Sequence, residues 1–505
     1  MADGGPASRA ECRPAGQHAA LVFVGVASVA FAVLKPPVGD FWAARARAYA
    51  AAHGVGLRYW FGWFDGLVPG HYSVLAPYLT RMLDAGVAGA GATVLAALAT
   101  HRLVRGSPHA IAATWAAGVG MSFSLWSGRV PFALGTATMV AALIAVRHRR
   151  PTVGLVLALL TVAVSPVSAA FLAVGLVGVI VHDRPRRAAA VATAGAAAVG
   201  LIGVELYFGA PGPEGFQILQ AGGAFGALLL LLVARPEPRV RTVVLLALIA
   251  CPVLAVVPNG MGSNFERFTW ICLPVAVLAT ARSSLRIAVV CCGAALSFGV
   301  IGSLHDLYVA AQPMSRPEYT AGLVRAVDRL PGLEDHRLEV VPDGSHVAAY
   351  TLLGHAQLAR GYETQTDNAM DAGLAARSLD AQAFRRWLDD NAVGWVAIDR
   401  VSMKHGPEDA LIRDRRPGYL HEAWSDRNWV LYAVERATPI VQPPGRVVDA
   451  DQAEMQVQVP PGTTLVRIRW SRFLHVTGPA PASIAERADG WVELRAAAAG
   501  AFTIG

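Results

Sequence analysis

The sequence contains few charged residues and almost no lysine. Charged side chains make up 16% of the 505 residues and hydrophobic side chains 54%, and lysine occurs only at Lys35 and Lys404. A soluble domain rarely has this composition. The formal net charge of +7 would suit nucleic acid, but the arginines occur in short clusters between apolar segments, as membrane orientation requires. We therefore expect a membrane protein with no nucleic-acid partner.

Cysteine is also scarce, and the last of its five positions is Cys292. The chain after Cys292 therefore cannot depend on disulfides, and the cysteine spacing does not match a metal site. The N-terminus lacks a signal-peptide cleavage pattern, so we expect the first apolar stretch to remain as a helix.

Long stretches without ionisable groups predict eleven membrane-spanning helices. A bilayer core needs roughly 20 apolar residues per helix, and about 17 at the short end. The pair at 153–164 and 167–181 is short for two full spans, so a re-entrant hairpin is the alternative there. The predicted spans centre on residues 19–34, 85–100, 111–125, 131–146, 153–164, 167–181, 188–208, 216–233, 243–257, 268–281 and 287–304.

Loops rich in arginine alternate with loops that have few. The rich loops carry Arg102 and Arg105, then Arg147, Arg149 and Arg150, then Arg184, Arg186 and Arg187, then Arg235, Arg239 and Arg241, and then Arg282 and Arg286. The positive-inside rule places these loops and the N-terminus in the cytoplasm. An odd number of spans then places the C-terminal part outside, in a multi-pass protein of a bacterial plasma membrane.

Composition divides the chain into four parts. Residues 1–18 are a cytoplasmic tail, and 19–312 are the transmembrane domain, with a structured first outer loop at 39–77. Residues 313–438 read as an exoplasmic α/β domain, and 439–505 as a β-rich domain that follows a proline-containing linker. In these last two parts we predict helices at 319–330 and 381–390 and strands at 337–341, 395–399, 429–435, 454–459, 464–470 and 490–496. The predicted fold class is thus a polytopic α-helical membrane protein with a soluble α/β and β-rich C-terminal part.

The first outer loop holds the main catalytic candidate, Asp40. Residues 40–53 have helix-forming composition, with Gly54 positioned to end the helix. The many aromatic residues of the loop are typical of a segment in the headgroup layer. Asp40 has two interpretations: an N-cap, or a general base that removes a proton from an acceptor hydroxyl. Tyr59 and Trp60 are candidates for stacking on a sugar.

Further candidates lie in the other outer loops. Arg129 and Arg267 each stand beside an apolar span, where a guanidinium can pair with a phosphate, snorkel, or pair with a carboxylate. Arg58 is a third candidate for the phosphate. The remaining candidates for sugar or acceptor contact are Asp65, His71, Tyr72, Asn264 and Glu266. Asp65 and His71 are more often loop or interface residues, and we assign no catalysis to the polar residues of the C-terminal part, among them His346, Tyr362 and Glu363.

Several segments resemble the GT-C superfamily of membrane glycosyltransferases. Gly39 and Asp40 occupy the place of that superfamily's acidic residue near the end of the first span, and HYSVLAPYL at 71–79 resembles its entry to the second span. SGRVPFALG, SPVSAAFL, GSNFERF, ARGYETQTD and FRRWLDDNAVGWVAID resemble segments of actinobacterial membrane proteins often labelled transporters. The resemblance covers most of residues 20–435.

The resemblance implies transfer of a sugar from a polyprenyl-phosphate donor to an envelope lipid, glycan or protein outside the membrane. In that reaction Asp40 is the general base, and Arg129 and Arg267 hold the donor phosphate. Many GT-C enzymes have two acidic residues in the catalytic loop, whereas Phe41 follows Asp40 here. No cofactor is therefore indicated with certainty, and a role for a divalent metal is left open. The alternatives are a transporter or lipid flippase, and a non-catalytic scaffold for envelope assembly.

Overall fold

The computed structural model describes residues 8–401 and 406–505. Residues 1–7 of the predicted cytoplasmic tail lie outside the described residues, and the rest of that tail belongs to a helix that begins at Ser8. The chain divides into two compact units. The first comprises the residues up to Pro36 together with Tyr72–Tyr308, and the second comprises Pro37–His71 together with Val309–Gly505.

The first unit is a bundle of apolar helices, and it includes every predicted span. The helices up to residue 310, of which only α2 belongs to the second unit, are α1 (Ser8–Leu34), α2 (Gly39–Ala52), α3 (Ala76–Leu83), α4 (Ala85–Val104), α5 (Ala110–Trp126), α6 (Val130–Arg147), α7 (Pro151–Val164), α8 (Pro166–His182), α9 (Arg187–Phe208), α10 (Ile218–Val233), α11 (Pro238–Val256), α12 (Phe265–Arg267), α13 (Leu273–Thr280) and α14 (Leu285–Ala310). Among the described residues, six helices are long and apolar enough to cross a membrane, and four further apolar helices are shorter. The predicted polytopic fold is confirmed, and the orientation of the chain in the membrane stays a prediction.

Helices α7 and α8 form a short hairpin that turns at Ser165. Their 14 and 17 residues correspond to about 21 and 25 Å, less than the roughly 30 Å of a bilayer core. Arg186 Nε donates to the Arg147 carbonyl at 3.0 Å, so the chain returns close to where the hairpin began. Ser73 Oγ donates to the Ala163 and Val164 carbonyls at 3.2 and 3.0 Å, which satisfies carbonyls at the end of α7. Helices α5 and α10, with 17 and 16 residues, are similarly short, so the choice between two full spans and a re-entrant hairpin stays a prediction.

The segment from Phe265 to Thr280 is one continuous helical stretch with a π turn at Phe268–Cys272 between α12 and α13. Pro274 has no N–H to donate to the Trp270 carbonyl four residues earlier, and a π turn accommodates such a missing bond. Short π segments are frequent at functional sites. This one follows directly on Glu266 and Arg267.

The second unit places the first outer loop in a hydrophobic core. Trp60, Trp63 and Phe64 are buried together with Leu338 and Trp429. The sequence predicted these rings in the headgroup layer. The structure instead buries them against residues of the C-terminal part. Helix α2 agrees with the predicted helix at 40–53.

The C-terminal part of the second unit begins with a mixed sheet of strand order β1-β2-β4-β3. Strands β1 and β2 are parallel and the other pairs antiparallel. Strand β2 has the sequence VGWVAID and is mostly buried on both faces, as expected of a central strand. The elements are α15 (Pro317–Val327), β1 (Arg337–Val340), α16 (Val347–Thr351), α17 (Thr364–Met370), α18 (Ala381–Asp390), β2 (Val393–Asp399), α19 (Pro407–Ala410), β3 (Leu420–Ser425) and β4 (Trp429–Val434).

The tail forms two sheets that share one hydrophobic core. Met455, Val457 and Val459 alternate inward along one strand, and Phe502 and Ile504 belong to the same core. The sheets have strand orders β5-β6-β11-β8 and β7-β10-β9. The strands are β5 (Arg446–Ala450), β6 (Met455–Val459), β7 (Gly462–Arg469), β8 (Val476–Thr477), β9 (Ala482–Glu486), β10 (Trp491–Ala496) and β11 (Gly500–Ile504).

Candidate functional site

Asp40 lies in the first turn of α2 in the second unit. The N-cap of that helix is Val38, so Asp40 is not the capping residue. Its carboxylate is half-buried, and Tyr362 Oη donates a hydrogen bond of 3.1 Å to Asp40 Oδ1. A carboxylate oriented by a phenol has the chemistry of a general base.

The Tyr362 ring is held in place by His346, whose ring stacks on it with centroids 3.6 Å apart. His346 has a φ of +60°, a left-handed conformation that costs about 1–3 kcal/mol in a residue other than glycine. The turn is stabilised by Asp343, whose Oδ1 accepts from the backbone N–H groups of Ser345 and His346 at 2.8 and 3.2 Å. A Cβ at Gly39 would lie 3.3 Å from both His346 and Tyr362, so glycine permits this close approach.

His71 belongs to a second polar cluster in the same unit. Its Nε2 lies 3.1 Å from Oε1 of Glu363, and Arg47 Nη2 lies 3.4 Å from the same oxygen. Thr366 Oγ1 donates to the other carboxylate oxygen at 3.0 Å. Glu363 and Arg47 are buried. The residue before Glu363 is Tyr362, so one dipeptide contacts both Asp40 and His71.

Three predicted sugar-contact residues of the first loop are buried instead. Trp60 is fully buried and its Nε1 donates to Gln452 Oε1 at 2.8 Å. Tyr59 is buried, and its hydroxyl donates to the Arg469 carbonyl at 2.7 Å. Asp65 is buried between Arg337, at 3.1 Å, and Arg469, at 3.4 Å. Their burial does not fit a contact with substrate, because each polar group bonds within the unit's own core.

Arg58 is exposed, and its guanidinium lies 5.9 Å from the centre of the Phe473 ring. Arg472 approaches the same ring at 5.1 Å. The structure does not bring Arg58 to Asp40 or His71, and its assignment to the donor phosphate stays a prediction.

In the first unit, Arg129, Glu266 and Arg267 line one polar cavity of about 140 Å³. We call it the arginine cavity. Its other walls come from α5, α10, α14, the turn Gly262–Asn264 and the π turn, through the residues Gly120, Phe123, Ser124, Gln220, Ser263, Trp270, Ile271, Leu296, Gly299, Val300 and Ser303. The structure thus brings together the two arginines that the sequence predicted to bind phosphate.

The three residues Ser127, Gly128 and Arg129 connect α5 to α6. Ser127 Oγ donates to Ser303 Oγ of α14 at 2.8 Å, and Gly128 adopts a φ of +82° that favours glycine. Arg129 Nη2 lies 3.6 Å from Asp306 Oδ2. Sequence analysis missed Asp306, which follows the last predicted span.

Arg267 and Glu266 form the end of α12. The Arg267 guanidinium lies 5.4 Å above the Phe132 ring, a cation–π contact that holds its charge at the cavity wall. Glu266 precedes the predicted span at 268–281, and burial raises its pKa to about 7, although Arg129 and Arg267 favour the charged form. Near neutral pH this carboxyl can therefore donate a hydrogen bond to an anion.

Two predicted contact residues lie elsewhere in the first unit. Asn264 ends the turn Gly262–Asn264 before α12, one residue after the cavity-lining Ser263. Tyr72 is half-buried and precedes Ser73, which caps α7. Their roles stay predictions.

A second, apolar cavity of about 470 Å³ adjoins the first unit's polar one. It is lined mainly by α4, α6, α8, α11 and α13, with residues such as Met139, Leu172 and Val243. Ile271 belongs to the lining of both cavities. The two cavities thus share one wall residue, and the first is lined by two guanidinium groups while the second is lined mainly by apolar side chains.

The donor groups near Asp40 and Glu363 are already paired within the protein. Within residues 8–401 and 406–505, no three His, Cys, Asp or Glu side chains are placed to hold a metal ion. Asp40 contacts a phenol, and Glu363 is paired with Arg47. This donor set does not fit a resident divalent ion, and we derive no step through one.

Sequence analysis also missed the roles of Arg47, His346, Tyr362 and Glu363. The last two lie in the segment ARGYETQTD, whose resemblance to other membrane proteins was the available signal. The sequence could not show that a segment more than 300 positions away contacts Asp40.

The chain resembles known proteins in fold alone. Neither a protein-family model nor a curated protein sequence matches it, whereas eleven chains of solved structures do. One is the archaeal oligosaccharyltransferase AglB from Archaeoglobus fulgidus, in complex with an inhibitory peptide and a dolichol-phosphate. Its identity is 11%, the match covers 76% of this chain and 69% of that chain, and the TM-score is 0.43. Another is ArnT from Cupriavidus metallidurans bound to undecaprenyl phosphate, at 14% identity, 82% and 97% coverage, and a TM-score of 0.40.

At these identities and TM-scores the likeness carries no argument about function, so the assignment of function depends on this chain's own residues.

Proposed function

We propose that the protein is a membrane glycosyltransferase that moves a sugar from a polyprenyl-phosphate donor to a hydroxyl group of an envelope glycan, lipid or protein. The observation that carries the proposal is the pairing of the arginine cavity with the apolar cavity through Ile271. A lipid phosphate has the matching chemistry, with a charged head and a long apolar chain.

The donor's phosphate would be held by Arg129 and Arg267. Two guanidinium groups supply several N–H donors in a planar fork that matches phosphate oxygens. Glu266 strengthens this assignment when it is protonated, because a neutral carboxyl adds a donor without repelling the anion. As the bond to the sugar breaks, the same groups stabilise the negative charge on the departing phosphate.

Asp40 would act on the acceptor. The acceptor's oxygen forms a bond to the anomeric carbon of the sugar, and the bond from that carbon to the phosphate oxygen breaks. The electron pair leaves with polyprenyl phosphate, and the acceptor's hydroxyl proton passes to Asp40. The hydrogen bond from Tyr362 fixes the direction of the carboxylate in this step.

Transfer in proteoliposomes supplied with polyprenyl-phosphate sugars and candidate acceptors tests the assignment of Asp40. We expect Asp40→Asn to lower kcat by about 10²- to 10⁴-fold, the usual loss on removing a general base. Binding of the donor should be unchanged, because Asn keeps an acceptor for the Tyr362 hydroxyl. The matched control is Asp414→Asn, an exposed carboxylate of the same unit, which should retain wild-type transfer.

Arg267→Gln separates donor binding from base catalysis in the same preparation. It should weaken donor binding and lower kcat by roughly 10²-fold, whereas Arg286→Gln at an exposed position should do neither. Normal transfer by Asp40→Asn would remove Asp40 as the base, and normal donor binding by Arg267→Gln would remove the phosphate site.

A further inference from the structure

Glu363 is a buried carboxylate with three side-chain partners from different parts of the second unit. They are Arg47 of α2, His71 of the turn Pro69–His71, and Thr366 of α17. Burial disfavours its charge, but His71, Arg47 and the hydrogen bonds outweigh that effect and lower the pKa of Glu363 to about 2. The carboxylate therefore remains ionised and can only accept hydrogen bonds.

This pairing determines which nitrogen of His71 carries the proton. Because Glu363 accepts and His71 Nε2 lies 3.1 Å from it, Nε2 is the protonated nitrogen. Nδ1 is therefore the ring nitrogen that remains for a ligand, and Arg47 holds the Glu363 carboxylate from another side, with Nη2 at 3.4 Å from Oε1.

The cluster is built on the same elements as Asp40. Arg47 follows Asp40 by seven residues on α2, which places both on one face of the helix. That face meets the consecutive residues Tyr362 and Glu363, of which one holds Asp40 and the other holds His71. The base and the imidazole are thus positioned by a single dipeptide.

We propose that His71 forms, through Nδ1, a hydrogen bond with a second hydroxyl of the acceptor, and that Glu363 and Arg47 are positioning residues for it. The inference rests on the proposed function. It narrows the acceptor to a molecule with neighbouring hydroxyl groups, such as a glycan, because one hydroxyl reacts at Asp40 and another binds His71.

The first arm of the test needs no activity. Nitrogen NMR of the histidine-labelled full-length protein in nanodiscs reports which ring nitrogen is protonated, and His71→Gln identifies the His71 signal. We expect Nε2 to carry a proton in the wild type, and the proton to be shared between the two nitrogens in Glu363→Gln. A wild-type ring protonated at Nδ1 and not at Nε2 would overturn the inference whatever the protein's activity.

The second arm measures transfer to a glycan acceptor. Loss of one hydrogen bond corresponds to about 3- to 10-fold, so His71→Ala and Glu363→Gln should raise the acceptor KM by that factor with little change in kcat or donor binding. The matched control is His355→Gln, which removes another histidine–carboxylate pair of the same unit, His355–Asp328 at 2.7 Å. It should leave both constants unchanged.

The outcomes separate the two claims. Transfer with an unchanged acceptor KM in His71→Ala overturns the role of His71 and leaves the proposed function standing. Absence of transfer by the wild type with every donor overturns the proposed function and the acceptor role together. If His355→Gln raises the acceptor KM as much as His71→Ala does, the effect is not specific to His71 and the role of His71 is overturned.

Discussion

Two carboxylates of the first loop lie in opposite environments. Asp65 is buried between two arginines and follows Phe64, with both residues at positive φ in a tight turn closed by the Gly66 N–H and the Trp63 carbonyl at 3.0 Å. Its ion pairs connect this turn to Arg337 and Arg469. Asp40 is half-buried and accepts its hydrogen bond from the Tyr362 hydroxyl.

Asp371 gives the second unit a measurable pH dependence. Burial raises its pKa to about 7 from the ordinary 3.8, against the hydrogen bond of 2.8 Å from Trp387 Nε1. The native carboxyl thus holds its proton more tightly than the unfolded one. The stability that it contributes is complete below about pH 4 and is lost as the pH rises through about 7.

Asp371→Asn should remove this dependence and keep an acceptor for Trp387. We compare the free energy of unfolding of the variant with that of the wild type at about pH 5 and at about pH 8.5. The difference should shift in favour of the variant by on the order of 1–3 kcal/mol from the lower to the higher pH. The midpoint of thermal unfolding at both pH values measures the difference. If the difference were the same at both pH values, the protonation assigned to Asp371 would be incorrect. Asp414→Asn is the control for removal of a charge at an exposed site.

Helices α8 and α11 approach each other closely at Gly178. A Cβ at this position would overlap the backbone carbonyl of Arg239, whereas a Cβ at Gly175 of the same helix meets nothing within 4 Å. Small residues allow such approaches in helix bundles of membrane proteins. Backbone atoms cannot rotate away as a side chain can, so the helices themselves must move apart.

Gly178→Ala should therefore destabilise the first unit by about 1–3 kcal/mol, and Gly175→Ala should not. Thermal unfolding of the two variants in the same detergent gives the comparison. Equal stability of the pair would show that α8 and α11 are not in contact at Gly178.

Elements were predictable where a local pattern determines them. The helix Ala381–Asp390 has its predicted bounds, and each predicted span coincides with apolar helix, because hydrophobic length and period are local properties. Strands β3, β5, β8, β9 and β11 were not predicted. Strand β3, for example, is largely exposed, so its sequence lacks the alternation that marks a half-buried strand.

The candidate site was predictable only in part, for a related reason. Asp40, Arg129 and Arg267 stand out because charges beside apolar spans are unusual. The sequence predicted that Trp60 stacks on a sugar. The residue is buried instead, through contacts with Gln452 and other residues that are distant in the sequence. For Glu363 the local signal was limited to the resemblance of the segment ARGYETQTD, because its charged partners Arg47 and His71 lie far away in the sequence.

For the whole molecule, the choice lies between a transferase and a transporter. The Arg-rich loops and the odd number of predicted spans place the C-terminal part outside, and that orientation stays a prediction. The paired cavities of the first unit would suit a lipid-linked sugar in either function. Only the transferase cleaves the bond between sugar and phosphate, and it does so with a base such as Asp40.

The most direct measurement uses proteoliposomes with a polyprenyl-phosphate sugar that carries one label in the sugar and another in the lipid. If the protein is a glycosyltransferase, the sugar label passes to the acceptor while the lipid label is recovered as polyprenyl phosphate, and Asp40→Asn prevents the separation. If both labels move together from one leaflet to the other and never separate, the protein is a flippase and the central claim is contradicted.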